Sequence, residues 1–246
     1  MKTIDCHVYL EGNILPDVNQ NATQVSALMA DRGIDHAIVL SQRAGLADPL
    51  SGNRILKSMI EHTPGLYGCV VAHVNRMDAS MQAVRDLLGN KKFLGVLITS
   101  THPDLPLPHL VAEELLTSCR RFQKPIFINT PNAACIETAL HLAKTYSGHK
   151  FVFLGMGGAD WRTGIAAAHQ ASNVFLEISG ALDRAKLPAA IEGVGGHRLL
   201  FGSSMPHLDP AAMLGLIEDC NLRPNETRRI LFDNAEKLFN LFDIES

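Results

Sequence analysis

The sequence contains no apolar run near the ~20 residues a membrane-spanning helix requires, so no membrane partner is expected. It has no basic tract either. Its 22 Lys and Arg are set against 25 Asp and Glu, for a net charge of −3, and nucleic acid is not an expected partner. No Cys-x-x-Cys pair occurs among Cys6, Cys69, Cys119, Cys135 and Cys220. An odd number of scattered thiols fits a reduced, cytoplasmic protein better than a disulfide framework. Lys2 is followed by Asp5 and Glu11, not by the apolar core of a signal peptide. The first apolar run ends in His7-Val8-Tyr9-Leu10-Glu11, without a glycine-rich phosphate loop, and there is no Walker sequence. That counts against an open, doubly wound nucleotide-binding sheet. With no linker and no low-complexity stretch, one domain over residues 1–246 is expected.

What is present is enough apolar material for a core: 46% hydrophobic residues against 19% charged ones, which excludes wholesale disorder. Short runs rich in Val, Ile, Leu and Phe recur at residues 3–9, 37–41, 67–74, 94–99, 125–129, 150–154, 174–178 and 199–203. Several are apolar on both faces, the pattern of parallel strands covered on both sides. Helical stretches alternate with them. Thr23 is placed to cap a helix that runs to Arg32, where Gly33 supplies a left-handed stop. Asp78 opens a second at 79–88. Others are read at 108–122, 133–146, 161–171, 181–194 and 211–219, with Asn225 and Asn234 as caps for two closing pieces. Eight strand–helix units of about 30 residues each predict an α/β fold, a parallel (β/α)8 TIM barrel.

Particular segments are similar to the amidohydrolase-related barrels, a branch of the metal-dependent hydrolase superfamily that includes decarboxylases. Asp5-Cys6-His7-Val8-Tyr9 resembles that family's first strand, Asp-x-His-x-His. Leu154-Gly155-Met156-Gly157-Gly158 resembles its sixth, which ends His-x-Gly-Gly. Asn173-Val174-Phe175-Leu176-Glu177-Ile178-Ser179-Gly180 resembles its seventh. Phe201-Gly202-Ser203-Ser204-Met205-Pro206 resembles its eighth, Phe-Gly-Ser-Asp-x-Pro, and residues 230–241 its closing helix. The resemblance implies an amidohydrolase-like barrel with its site at the C-terminal mouth.

It also implies a metal held by two histidines of the first strand, one each of the fifth and sixth, and an aspartate of the eighth. Only His7 remains. Tyr9, Asn129, Gly155 and Ser204 occupy the other positions. A catalytic zinc takes about three His, Cys or carboxylate ligands, which this set does not supply. No cofactor is therefore expected, and a divalent ion would be held only weakly, by His7 and waters.

His7 and Tyr9, two apart on one strand, share a face. They are read as an acid–base residue and a hydrogen-bond donor, against the alternative of a packed polar pair. Glu177 either partners His7 or points outward to a basic residue. Asn129 and Ser204 project into the same mouth as carbonyl or carboxylate binders, or fill space left by lost ligands. Ser203 and His207 lie at its rim. His73 is a substitute ligand if it faces inward, and otherwise a core group. Arg43, after the second strand, could clamp a carboxylate. Asp160 is read as the cap of the helix carrying Trp161, and the remaining histidines, His149 among them, as surface residues. Two functions stand: hydrolysis, lactone opening or decarboxylation of a small carbonyl or carboxylate compound, or a non-catalytic barrel that binds a small molecule or a partner. Related barrels often pair, so a homodimer is the oligomer this resemblance suggests.

Overall fold

The computed structural model describes residues 2–10 and 21–241. Glu11, read with the first strand's run, lies outside the described residues. Eight strands follow one another in spatial order as in sequence, each parallel to the next. They are β1 (Ile4–Leu10), β2 (His36–Ser41), β3 (Leu66–His73), β4 (Phe93–Thr99), β5 (Ile126–Asn129), β6 (Phe151–Leu154), β7 (Val174–Glu177) and β8 (Leu199–Leu200). The helices between them are α1 (Ala22–Arg32), α2 (Gln42–Leu46), α3 (Pro49–Glu61), α4 (Met77–Leu87), α5 (His109–Cys119), α6 (Ala133–Thr145), α7 (Trp161–Gln170) and α8 (Lys186–Val194). The chain closes with α9 (Pro210–Asp219), α10 (Pro224–Arg228) and α11 (Asn234–Phe239). This is the (β/α)8 barrel that the alternation predicts.

Two apolar layers hold it. Outward-facing strand residues such as Val39, Val70, Ile98, Ile128 and Phe153 pack against Val25, Leu56, Val84 and Leu115 of the helices. The alternate residues, Ile38, Leu40, Cys69, Val71, Leu97, Phe127 and Val152, fill the interior. Ala235 and Phe239 of α11 close one end, with the Phe239 ring stacked on Phe127 at 6.0 Å. Each fully buried Phe or Leu contributes roughly 1.5–3 kcal/mol relative to exposure. The same alternation carries Asn129 and Glu177, the last residues of β5 and β7, inward at the other, C-terminal end. In β1 the parity changes between Cys6 of the inner layer and Val8 of the outer one, and Tyr9 then faces inward.

Two irregularities shape that end. Asp5 pairs with Ala37 and Val8 with Val39, so three steps of β1 run beside two of β2. Such a bulge kinks the strand and re-aims its side chains. The second is that β8 is shorter than residues 199–203. After Leu200 the chain leaves β7 and bonds instead to β1. Cys6 N–H donates to the Phe201 carbonyl at 2.9 Å, Ser204 N–H to the His7 carbonyl at 2.8 Å, and Tyr9 N–H to the Met205 carbonyl at 2.8 Å. This seam brings the first and last strands together.

Several helix ends differ from the sequence reading. Asn21, not Thr23, caps α1, because Asn21 and Gln24 form a reciprocal capping box two residues earlier, while Gly33 does take the left-handed stop at φ 67°. Met77, not Asp78 or Ala79, begins α4. Helix α8 starts at Lys186 instead of residue 181, since the Asp183 side chain accepts from Ala185 N–H and ties residues 183–185 into a turn. Asn225 and Asn234 are not caps. α10 opens on Pro224, and a π-helical turn at Arg229–Asp233 carries it continuously into α11. Asn234 instead donates from its buried amide to the carbonyls of Gly196 and Leu199, both at 2.7 Å. His149 is buried beside Phe151, not on the surface.

Candidate active site

At the C-terminal mouth lies a cavity of about 300 Å³, lined by His7, Tyr9, Asn129 and Ser204 together with Ser179, Thr130, Gly155 and the rim residues Pro103 and Asp104. The four residues expected to meet there line one space.

At its floor, the buried Glu177 carboxylate meets the imidazole of His7, with Oε2 3.0 Å from Nδ1. The same oxygen accepts from the Ser179 hydroxyl at 2.7 Å and from Gly155 N–H at 3.0 Å. Oε1 accepts from Ser179 N–H at 2.6 Å. Burial by itself would raise the Glu177 pKa, but the charge and hydrogen bond of His7 and the two Ser179 donors outweigh it and hold the carboxyl below its usual value. An ionised carboxylate only accepts, so the Nδ1 of His7 carries the proton toward it. Whenever the ring holds a single proton, its lone pair then sits on Nε2, a buried atom with no hydrogen-bond partner among the described residues.

Three neighbours complete this cluster. Tyr9 stands edge-on to the His7 ring at 4.9 Å, and desolvation raises its phenol, so it remains a neutral donor. His207 stands edge-on to Tyr9 at 5.3 Å, with its Nε2 3.1 Å from the Gln42 amide. Its pKa is lowered by desolvation and then by His7. Beneath them, fully buried Asp5 accepts from His7 N–H at 3.1 Å and Ser203 N–H at 3.0 Å, and desolvation raises its pKa to about 6.

The other candidates lie outside the cavity lining. Ser203 is buried below it, where its hydroxyl accepts from Met205 N–H at 3.1 Å. His73 is buried at the end of β3, its Nδ1 accepting from Asn75 N–H at 3.1 Å, and its pKa is lowered by desolvation and by Arg76. Arg43 is exposed on α2. Asp160 does hold the N-cap position of α7, but its carboxylate makes no bond to that helix; it accepts from Ala133 N–H at 3.0 Å and so binds the start of α6. Sequence reasoning missed Ser179, Thr130 and Asp104 as lining residues. Ser179 had a signal, its position two residues beyond Glu177 at the end of an inward-facing run. Asp104 had a weaker one, its place in a proline-bounded loop on the active face.

Gly155 stands where the resembled family carries its sixth-strand histidine. A Cβ built there would meet nothing within 4 Å, so the missing side chain is part of the cavity's volume. Among the described residues no group of three or more His, Cys, Asp and Glu side chains is arranged to hold a metal ion. Among them, too, no helix is long and apolar enough to cross a membrane.

A family model described as amidohydrolase matches residues 4–241. No curated protein sequence matches the chain. Solved structures resemble it in fold. A 2,6-dihydroxybenzoate decarboxylase complexed with 2,6-dihydroxybenzoate aligns with a TM-score of 0.78 at 13% identity, covering 98% of this chain and 99% of that one. A dihydroxybenzoic acid decarboxylase from Polaromonas, with bound manganese and 2-nitroresorcinol, gives 0.78 at 14%, covering 98% and 97%. A probable 2-pyrone-4,6-dicarboxylic acid hydrolase from Acinetobacter baumannii, with citric acid bound, gives 0.73 at 16%, covering 98% and 100%.

Proposed function

Since the chain belongs to the amidohydrolase family, we propose that its barrel mouth hydrolyses or ring-opens a small neutral carbonyl compound, an ester or lactone, without a bound metal. The observation that carries this reading is the His7–Glu177 pair, with Nδ1 on the carboxylate at 3.0 Å and Nε2 left unpartnered. A carboxylate behind an imidazole fixes its tautomer and stabilises the imidazolium that forms when the far nitrogen takes a proton. His7 removes a proton from the nucleophile through Nε2 and returns it to the leaving oxygen. Tyr9, held neutral, and the amide of Asn129 donate to the substrate carbonyl. A binding barrel has no need of a buried, unpaired ring nitrogen backed by a carboxylate, so the arrangement favours an enzyme.

The donor set argues against the family's metal. Among the described residues only two buried polar atoms near the floor lack partners, His7 Nε2 and Asp5 Oδ2, fewer than the roughly three ligands a catalytic ion takes. The positions that would complete a shell carry a phenol, an amide, a glycine and a hydroxyl, and these neither offset a divalent charge nor match imidazole in basicity.

Charge argues for a neutral substrate. The described lining contains one carboxylate, Asp104, and neither Lys nor Arg. A carboxylate substrate, as decarboxylation requires, would enter without a counter-charge. The five free thiols fit a reducing cytoplasmic compartment for this activity.

The test is a panel of neutral aryl esters and five- and six-membered lactones beside hydroxybenzoic acids, assayed with the dialysed protein and with His7→Ala. Ester or lactone turnover that His7→Ala abolishes, with its circular dichroism unchanged, is the expected result. Turnover of the acids alone, or turnover that survives in His7→Ala, would overturn the proposal.

A further inference from the structure

The turn after β8 reads Gly202-Ser203-Ser204-Met205-Pro206. Ser204 takes the left-handed conformation, φ 61°. A serine gains nothing from that region, which glycine and asparagine visit more readily, and residues held there cluster at functional sites. The turn is clamped to the backbone of β1 on either side of Val8. Ser204 N–H donates to the His7 carbonyl, and the Met205 carbonyl accepts from Tyr9 N–H, each at 2.8 Å.

Three hydroxyls of Ser and Thr line the cavity: Thr130, Ser179 and Ser204. Two are committed. Thr130 Oγ1 donates to the Leu154 carbonyl at 2.8 Å, and Ser179 Oγ donates to Glu177 at 2.7 Å. Ser203, one residue before Ser204, is also committed, buried between Asp5 and Met205. Of these four hydroxyls, only that of Ser204 makes no hydrogen bond among the described residues, and Ser204 is half-buried. One uncommitted hydroxyl therefore shares the cavity with one uncommitted imidazole nitrogen. Their residues are joined through the backbone, by Ser204 N–H on the His7 carbonyl.

We propose that Ser204 is the nucleophile of this site, with His7 as its base and Glu177 as the group that orients His7. This rests on the hydrolytic reading above and specifies its course. The Ser204 Oγ–H gives its proton to His7 Nε2 as Oγ bonds to the acyl carbon. The bond from that carbon to the leaving oxygen breaks, and the proton on Nε2 passes to that oxygen. Water then gives a proton to Nε2 as its oxygen bonds to the acyl carbon. The Oγ–acyl bond breaks, and Oγ recovers its proton. No oxidant or metal enters, and the sum is one water added across one acyl bond. The uncommitted state of Ser204 matches what this role needs, because a nucleophile activated by a base must be free to turn between base and substrate.

The experiment is covalent labelling with a fluorophosphonate, read by intact mass and peptide mapping, beside steady-state ester hydrolysis. The wild-type protein is expected to take up one equivalent on the peptide containing Ser204. Ser204→Ala, with unchanged circular dichroism, is expected to take up none and to lose about 10³-fold in kcat. No adduct on the wild type, or an adduct that persists in Ser204→Ala, would overturn the assignment. So would full turnover by Ser204→Ala. If His7→Ala were inactive in that case, water would be the direct nucleophile and the hydrolytic reading would stand. If both variants kept wild-type turnover, both proposals would fall together.

Discussion

The carboxylate of Glu177 occupies the space that a side chain at Gly202 would need, since a Cβ built on Gly202 would overlap its Oε1 and Cδ. The segment after β8 thus lacks a side chain where β7 projects its acid toward β1. Gly202→Ala is expected to push Glu177 off His7. Overpacking of this kind costs about 1–3 kcal/mol, and here it also breaks the acid–base pair. Thermal melts and ester kinetics on the same preparation check it. A variant that melts lower but keeps full kcat would mean that Glu177 does not need its present position.

Glu177→Gln tests the charge separately from the space. The amide is nearly the same size and can still accept from Nδ1 of His7. Its NH2 group, however, would face the Ser179 N–H that now donates to the other carboxylate oxygen. Loss of the orienting anion is expected to reduce kcat by roughly 10²–10⁴-fold, the range for general acid–base contributions. KM should change little, because Glu177 does not itself line the cavity. A rise in KM with kcat preserved would assign Glu177 to binding instead.

These two residues mark how far the sequence could be read. The eight apolar runs were legible because burial on both faces leaves a compositional trace at each strand. Strand parity put Tyr9 on the face of His7 and Asn129 in the mouth, but left Glu177 either inward or outward. The engagement of Glu177 with His7 was not legible, since it joins residues 170 apart across the barrel. Nor was the early end of β8, where Phe201 and Ser204 exchange one neighbouring strand for another. Separating Ser203 from Ser204 needed coordinates as well: two adjacent serines look alike in sequence, yet one is locked in a buried network and the other faces the cavity.

Asp5 gives a pH signature. Desolvation raises its folded pKa from 3.8 to about 6, so the folded chain holds a proton there that the unfolded chain has lost. Its contribution to stability is full below about pH 4 and is lost as pH rises through about 6, a difference of about 3 kcal/mol by linkage. Asp5→Asn keeps an oxygen for the N–H groups of His7 and Ser203 and does not titrate. The unfolding free energy of the wild type minus that of Asp5→Asn is therefore expected to fall between about pH 4 and 6 and then level off. A flat difference in urea titrations across that window would remove the buried-acid account.

Lys186 lies fully buried behind the loop that follows β7. Its Nζ donates to the carbonyls of Ile178 at 2.5 Å, Ala181 at 2.7 Å and Ser179 at 3.4 Å, and desolvation lowers its pKa to about 8. Lys186→Met fills similar volume but leaves those carbonyls without this donor. A loss of roughly 2–4 kcal/mol is expected, from the cost of leaving buried acceptors unpaired. Ser179, which holds Glu177, sits on the loosened segment, so kcat should fall as well. Undiminished stability would show that the three carbonyls find other partners.

The last prediction concerns the metal. After exhaustive dialysis the protein is expected to retain far less than one equivalent of manganese or zinc, and chelation should leave ester turnover unchanged. The reason lies in the donors. His7 is the one imidazole left at the family's ligand positions, its Nδ1 is already directed at Glu177, and only Nε2 is free. Tyr9, Asn129 and Ser204 offer neutral oxygens, and Gly155 offers no side chain. Restoring basicity and charge should reverse this. In the double variant Tyr9→His, Ser204→Asp, the mouth would carry two imidazoles two residues apart on β1 and a carboxylate on the neighbouring turn. That is about the three-ligand minimum of an open catalytic site. The variant is expected to bind manganese or zinc measurably by calorimetry where the wild type does not. It should also lose the metal-independent turnover, because Nε2 of His7 would be spent on the ion and the Ser204 hydroxyl would be gone. Close to one equivalent of metal on the wild type, removed together with activity by a chelator, would refute the metal-free reading and return the site to the chemistry of a metallohydrolase.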